Sequence, residues 1–350
     1  MGIKDIDSHK LNYHPERVAQ WKSTGFCYPL HMEVGITNEC NHRCKQCTLD
    51  WINHGQDSLD AQILVETLKE ASSLGVKSVY FAGEGEPTLH RALGLFARTA
   101  HDLGIKVALS TNGSCLSTLK DTLPYLSWLR FSVDAATAET FSKIHRVELS
   151  EFDKVISNIK QCVDVVKNED YKVQIGIQSL LMPENINEIE PLANIAKNIG
   201  AHNFQVKPAH CHPKSSYQIT PRQHLQDGMQ QRLEKLNSNT FTTIVRIRSL
   251  ERLGQPRTYN ECHAFNFYCL IDACGNLSPC NVFYGKDNYI FGNIYKDSLQ
   301  EIWSSDKKRI IIKQIAELKH SLCKDYRCRQ DVMNRYLERV KNPEINDEFI

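Results

Sequence analysis

The chain has 350 residues, 41% of them hydrophobic and 24% charged, which is enough to bury one large α/β core plus a smaller appendage and excludes a disordered tail protein. Its 42 basic and 41 acidic side chains leave a formal charge of +1, an argument against a nucleic-acid partner or an anionic membrane surface. The N-terminal segment is polar and charged without an apolar h-region, and no later stretch approaches the roughly 18 apolar residues of a membrane span. A soluble, cytoplasmic protein with no membrane partner is expected.

From residue 31 to about 250, short apolar strand candidates alternate with longer helical patterns, the signature of a parallel α/β sheet or partial barrel. The strand candidates are residues 31–37, 76–81, 105–110, 126–135, 171–180 and 202–208. Between them, residues 58–75 and 89–104 repeat apolar positions at helical spacing, and Gly75 and Gly104 suit helix C-caps. That predicts about six βα units. A single helix is expected over residues 299–319. The expected division is an N-terminal extension (1–30), a core (31–250) and a cysteine-rich C-terminal region (251–350), with no internal repeat.

Thirteen cysteines is an odd number, and they gather in two groups, which without a signal peptide suggests metal ligation over disulfides. Directly after the first strand candidate, Cys40, Cys44 and Cys47 form a C-x3-C-x2-C spacing within one loop. Soft thiolates select iron–sulfur clusters, zinc or copper. A cubane on three cysteines leaves one iron open to a chelating ligand, whereas a structural zinc site wants four protein ligands. The alternative is therefore a zinc knuckle completed by His42 or His54.

The position of this loop after the first strand of a βα series resembles the radical S-adenosylmethionine (radical SAM) superfamily. That resemblance implies a partial (β/α)6 barrel, a catalytic 4Fe–4S cluster on Cys40, Cys44 and Cys47, and S-adenosyl-L-methionine (SAM) cleaved to a 5'-deoxyadenosyl radical. The family usually has an aromatic residue just before the last cysteine, where this chain has Gln46. Gly85, Glu86 and Pro87 resemble the element that meets the methionine amino group. The resemblance further implies Ser132 at a strand end near the cofactor, Arg146 toward the methionine carboxylate and Gln178 toward the ribose. Glu86, Arg146 and Gln178 each have a plain alternative: a solvated turn glutamate, a helix-end arginine and a surface amide.

Six further cysteines lie in the C-terminal region. Cys262, Gly275 and Cys280 resemble the start of the twitch and SPASM auxiliary-cluster modules, and the run around Gly275-Asn276 also reads as a β-hairpin. With Cys323 and Cys328 arriving after a helix, four thiolates would hold one auxiliary 4Fe–4S cluster, leaving Cys269 and Cys274 surplus. A zinc ribbon on the same four cysteines is the alternative.

The radical chemistry needs an electron donor, a reductase or a flavodoxin or ferredoxin. The expected reaction is hydrogen abstraction from a small polar metabolite such as a sugar or cyclitol, giving oxidation or epimerisation. Lys207, His210, Cys211 and His212 follow the sixth strand candidate, and Cys211 raises the hypothesis of a hydrogen-atom donor for epimerisation. Two other readings stand beside this one: a peptide- or protein-modifying maturase, and a non-catalytic iron–sulfur or zinc scaffold or sensor.

Overall fold

The computed structural model describes residues 9–52, 54–209, 212, 214–218, 228–246, 251–252, 255–318, 321–323, 328–347 and 349. Helix α1 (Pro15–Thr24) precedes β1 (His31–Val34), and α2 (Ala61–Ser73) leads to β2 (Ser78–Phe81). Then come α3 (Leu93–Asp102), β3 (Lys106–Thr111), α4 (Leu116–Thr122), β4 (Leu126–Ser132), α5 (Ala138–His145), α6 (Ser150–Asn168), β5 (Gln174–Leu181), α7 (Ile189–Asn198) and β6 (Asn203–Pro208). All six strand candidates are strands, and β1 to β6 lie side by side in chain order, every pair parallel.

Local chemistry sets the element ends. The Asp60 carboxylate accepts hydrogen bonds from the Gln62 and Ile63 amides and starts α2. Gly75 and Gly104 adopt φ of +83° and +77° after α2 and α3, a left-handed backbone that glycine takes without a Cβ clash.

Along the strands the period is two. Met32, Val34, Val79, Phe81, Val107, Leu109, Leu129 and Phe131 belong to the main apolar core with the helices, while Glu33, Tyr80, Ser110 and Arg130 alternate with them and face the concave side. There the polar groups satisfy one another: the Tyr80 hydroxyl donates to Ser110 Oγ (2.7 Å), and Arg130 Nε donates to the same oxygen (3.0 Å).

The sheet extends at both ends. Strand β7 (Thr242–Val245) adds parallel to β6, and helix α8 (Met229–Glu234) packs near it. At the opposite edge β8 (Tyr268–Ile271) runs parallel to β1, followed by β9 (Asn276–Ser278) and β10 (Gly292–Asn293), each antiparallel to its neighbour. The order β10-β9-β8-β1 through β7 does not close, so the partial barrel expected from the sequence is present with its C-terminal hairpin. The sheet passes without a break across the division expected near residue 250.

The helix expected over 299–319 is two, α9 (Leu299–Ser304) and α10 (Asp306–Glu317). Ser305 between them is extended (ψ +150°), and its side chain accepts from the Lys308 amide, a cap that starts the second helix at a new angle. Helix α11 (Asp331–Lys341) returns to the N-terminus, where Trp21 of α1 packs in one apolar cluster with Phe267 and Leu337.

The hairpin is clamped to the barrel by Glu84, whose carboxylate accepts the Ala273 amide at 2.6 Å. Burial pushes the Glu84 carboxyl up to about 8, with Asp272 and Asp57 adding to the rise. The folded protein therefore holds this proton where the unfolded chain releases it, so stability falls as pH rises from the ordinary 4.5 toward 8. Glu84→Gln should flatten that decline, at most about 1.4 kcal/mol per pH unit, in Tm measurements across this range.

Candidate functional site

The Cys40–Cys47 loop follows β1 at the C-terminal ends of the parallel strands, where ligands of open α/β sheets bind. Each neighbouring strand end supplies a tie. After β2, the Glu86 amide donates to Glu39 O (2.8 Å). After β3, Asn41 exchanges side-chain hydrogen bonds with Ser114 and Asn112 (both 2.8 Å). At the end of α5 the Arg43 and Lys45 amides donate to His145 O and Ile144 O. Beyond β5, Lys45 pairs with Glu184, and after β6 Ser215 Oγ donates to Cys47 O (3.3 Å).

Cys40, Cys44 and Cys47 are all half-buried. Burial raises all three thiols, and the charges of Cys40 and Cys47 further oppose ionisation of Cys44. Three thiols whose charges repel at close range are a set that a cationic iron–sulfur core can satisfy. Around them lie buried polar groups. The Gln46 amide donates to Asp134 Oδ2 (2.6 Å), Asp134 Oδ2 lies 3.6 Å from His145 Nε2, and His145 Nδ1 lies 3.2 Å from Cys44 Sγ. The Leu180 amide fixes the other Asp134 oxygen (2.6 Å). Gln46, the departure from the family's aromatic, is thus a buried polar link.

His42, Cys44 and His145 place one ligand atom each within 4.8 Å of one another, so the zinc alternative has a geometry here, and it would take Cys44 from the triad. His54 Nε2 lies 4.0 Å from Cys47 Sγ.

Glu86 is not an open carboxylate. It is buried and accepts from the Thr88 amide, the Thr88 and Thr111 hydroxyls and the Asn112 amide, at 2.6 to 3.0 Å. These bonds join the β2 and β3 loops, and only the remaining lone pairs can face a ligand ammonium. Pro87 is buried at the start of a short 3-10 turn. Gly85 shows why no side chain fits: a Cβ there would stand 2.1 Å from Glu39 O and 2.7 Å from Asn38 C.

Ser132 and Gln178 are register partners at the ends of β4 and β5, so the two are brought together. Gln178 is buried and its Oε1 has no hydrogen-bond partner, a buried acceptor suited to a ligand hydroxyl. Arg146 is exposed at the C-cap of α5 with φ +54°. His210 and Cys211 lie outside the described residues. His212 stacks on Trp51 of the cysteine loop (5.0 Å, 24°), and Lys207 is half-buried at the end of β6.

The second set of cysteines lies together. Cys262, Cys280, Cys323 and Cys328 all line one small, largely apolar cavity, and the Cys328 charge opposes ionisation of both Cys262 and Cys280. Arg257 donates to Cys323 Sγ (2.9 Å) and Asn334 Nδ2 to Cys262 Sγ (3.3 Å), bonds that stabilise thiolates. The hairpin turns where expected, with Gly275 at φ +81°. Cys269 is buried on β8, and burial pushes its thiol up to about 12. Cys274 is exposed in the turn. Neither lines the thiol cavity.

Sequence reasoning missed Asp134, His145 and Asn112 as site residues. Asp134 and His145 lie in the chain between Ser132 and Arg146, and Asn112 directly follows β3. That proximity was the available signal.

One thiol group thus lies at the ligand-binding end of an open parallel barrel and a second at its edge. The radical SAM superfamily model matches residues 34–196, and an iron–sulfur cluster-binding domain model, SPASM, matches residues 262–329. The chain thus carries a radical SAM domain and a C-terminal SPASM domain, which imply 4Fe–4S clusters and SAM as cofactors.

Among curated relatives, a probable GTP 3',8-cyclase of Saccharolobus islandicus is 30% identical over 189 residues, 53% of this chain. The chain thus spans 59% of the length of that relative. A tungsten-containing aldehyde ferredoxin oxidoreductase cofactor-modifying protein of Pyrococcus furiosus is 24% identical over 309 residues, covering 79% of this chain and 81% of that one. Among solved structures, Streptococcus suis SuiB superposes with a TM-score of 0.65 at 18% identity, over 95% of this chain and 79% of its own. For anSMEcpe with bound AdoMet the TM-score is 0.58 at 20% identity, over 89% and 95%. At such identities the likeness is one of fold.

Gly85→Ala should push the cysteine loop off its seat. The expected cost is about 1–3 kcal/mol, read as a lower denaturation midpoint, together with less iron retained after anaerobic reconstitution.

Proposed function

We propose that the chain reductively cleaves SAM and directs the resulting radical at a C–H bond of a small polar substrate, giving oxidation or epimerisation. The observation that carries this reading is a partly open cavity of about 380 Å³ that shares Tyr268, Cys328, Arg329 and Gln330 with the C-terminal thiol cavity. It also reaches Lys207 at the end of β6, whose charge favours ionised Asp134 beside the first cysteine loop. A cavity of that size suits a small ligand.

Cys40, Cys44 and Cys47 would hold the catalytic cluster, which when bound supplies the electron that splits the sulfonium. The protein's own part is positional. Gly85 lets the loop backbone close to contact distance, and Glu86, which locks the β2 and β3 loops together, would meet the methionine end. Ser132 and Gln178 would offer polar groups to the ribose. His145 sets Nδ1 3.2 Å from Cys44 Sγ, and its Nδ1–H tautomer would donate to that sulfur. Cys262, Cys280, Cys323 and Cys328 would hold an auxiliary cluster, an acceptor for the electron left on an oxidised substrate or an anchor for it. A flavodoxin or ferredoxin would feed the first cluster.

A peptide-modifying maturase is the competing reading. SuiB has been solved with its precursor peptide SuiA and anSMEcpe with a peptide, but their likeness to this chain is in fold.

Anaerobically reconstituted protein should hold about eight irons, falling to about four in a Cys40, Cys44, Cys47 triple alanine variant. Dithionite-dependent 5'-deoxyadenosine formation should vanish in that variant. Zinc alone, or iron without cleavage, would leave a scaffold or sensor. His145→Phe removes an N–H donor that favours the more negative, reduced cluster. The expected result is a lower midpoint potential of the first cluster in an EPR-monitored redox titration, with iron content retained.

A further inference from the structure

We propose that the cavity between α1 and α10 binds a small aromatic carboxylate, its anion received by the buried ammonium of Lys308. The site lies beyond the radical chemistry proposed above and does not depend on it.

This cavity, of about 700 Å³, opens between the C-terminal end of α1, the loop leading to β1, the stretch before β8 and the turn from α9 into α10. Trp21, Phe26, Tyr28, Phe265 and Trp303 supply an aromatic wall. It shares Cys262, Phe265 and Ile315 with the C-terminal thiol cavity, and none of its described lining with the cavity at Lys207.

Lys308 lines the cavity and is 3% exposed. Its ammonium lies 4.0 Å from the centroid of the Trp303 ring, and among the described residues it makes no ion pair and no hydrogen bond. Its place in the chain adds to the strain on that charge. Lys307, Lys308 and Arg309 follow one another in the first turn of α10, at the positive end of the helix dipole. Asp306 pairs with Arg309, and Glu261, the carboxylate in the described lining, pairs with Lys341 (3.1 Å). Neither answers Lys308. Burial pulls its ammonium down to about 8, against the opposing pull of the Cys27 and Cys269 thiols. Burial pushes both of those thiols up to about 12, so they stay neutral and supply no counter-charge.

A desolvated ammonium without a counter-anion is unfavourable, and the face of one indole offsets only part of that. A carboxylate in the cavity would supply the missing charge, and the N-terminal end of α10 favours it there as well. One unpaired buried cation calls for one negative charge. The aromatic wall calls for a flat apolar body that stacks on it, and the volume is that of a small-molecule site.

The test uses the full chain, reconstituted anaerobically, with cinnamate as the probe in isothermal titration calorimetry and cinnamamide as its uncharged match. One saturable site for cinnamate is expected, with the amide weaker by about tenfold or more, as for the loss of a charged hydrogen bond. Lys308→Met keeps an unbranched side chain, removes its charge and should weaken cinnamate by a similar factor. Lys307→Met, one residue away and outside this lining, should match wild type. Ile312 is half-buried in the wall one helical turn beyond Lys308, so Ile312→Glu offers the ammonium an internal carboxylate. It should also displace cinnamate, and it serves as the independent variant should Lys308→Met fail to fold.

Absence of saturable cinnamate binding, equal binding of the amide, or binding unchanged in Lys308→Met and Ile312→Glu overturns the proposal and leaves Lys308 a cation held by the Trp303 ring alone. Binding is measured without SAM, so the result is independent of whether the chain cleaves it.

Discussion

Everything at the ligand-binding end of this molecule depends on how closely the β2 loop approaches the backbone just before Cys40. Gly85 lies against Glu39 and Asn38 with no room for a methyl group, and the next residue donates its amide to Glu39 O. That contact fixes where the cysteine loop leaves β1, and thus where three thiols meet. Glu86 then carries the constraint sideways, because its buried carboxylate collects donors from two loops. A charge buried this deeply is tolerated only when hydrogen-bonded on several sides, so the two loops move together or not at all.

The parallel sheet explains why one loop can be tied to so many strands. Parallel neighbours end on the same side, so β2 through β6 all deliver their following loops to the Cys40–Cys47 segment. Convex-face residues are apolar and pack on helices. Concave-face residues are polar and satisfy each other, as Tyr80, Ser110 and Arg130 do. A barrel with this interior can enclose polar or charged matter without leaving its own groups unpaired.

The C-terminal thiols reach the barrel because β8 continues the sheet beyond β1. A separate domain on a linker would leave the distance between the two thiol groups adjustable. Strand pairing, the Glu84–Ala273 clamp and the Arg329–Glu33 ion pair instead hold the second group against the barrel wall. β7 and β8 are the neighbours that do not pair, so the barrel stays open between them.

Sequence by itself determined the local features. The Cys40, Cys44 and Cys47 spacing, the turn at Gly275 and the six strand-helix alternations are written in short stretches of chain, where period and composition report directly on backbone conformation. The helix over 299–319 was misread at Ser305, because a single capping serine interrupts an otherwise helical composition. Only the tertiary structure decided what depends on distant partners. Gln46 reads as a mere departure until Asp134 stands beside it, and His145 as a helix-end residue until its ring meets Cys44. Cys269 and Cys274 separate from the other four thiols only once β8 has chosen β1 as its neighbour. Pairing register and burial are properties of many residues at once, and no window of the chain contains them.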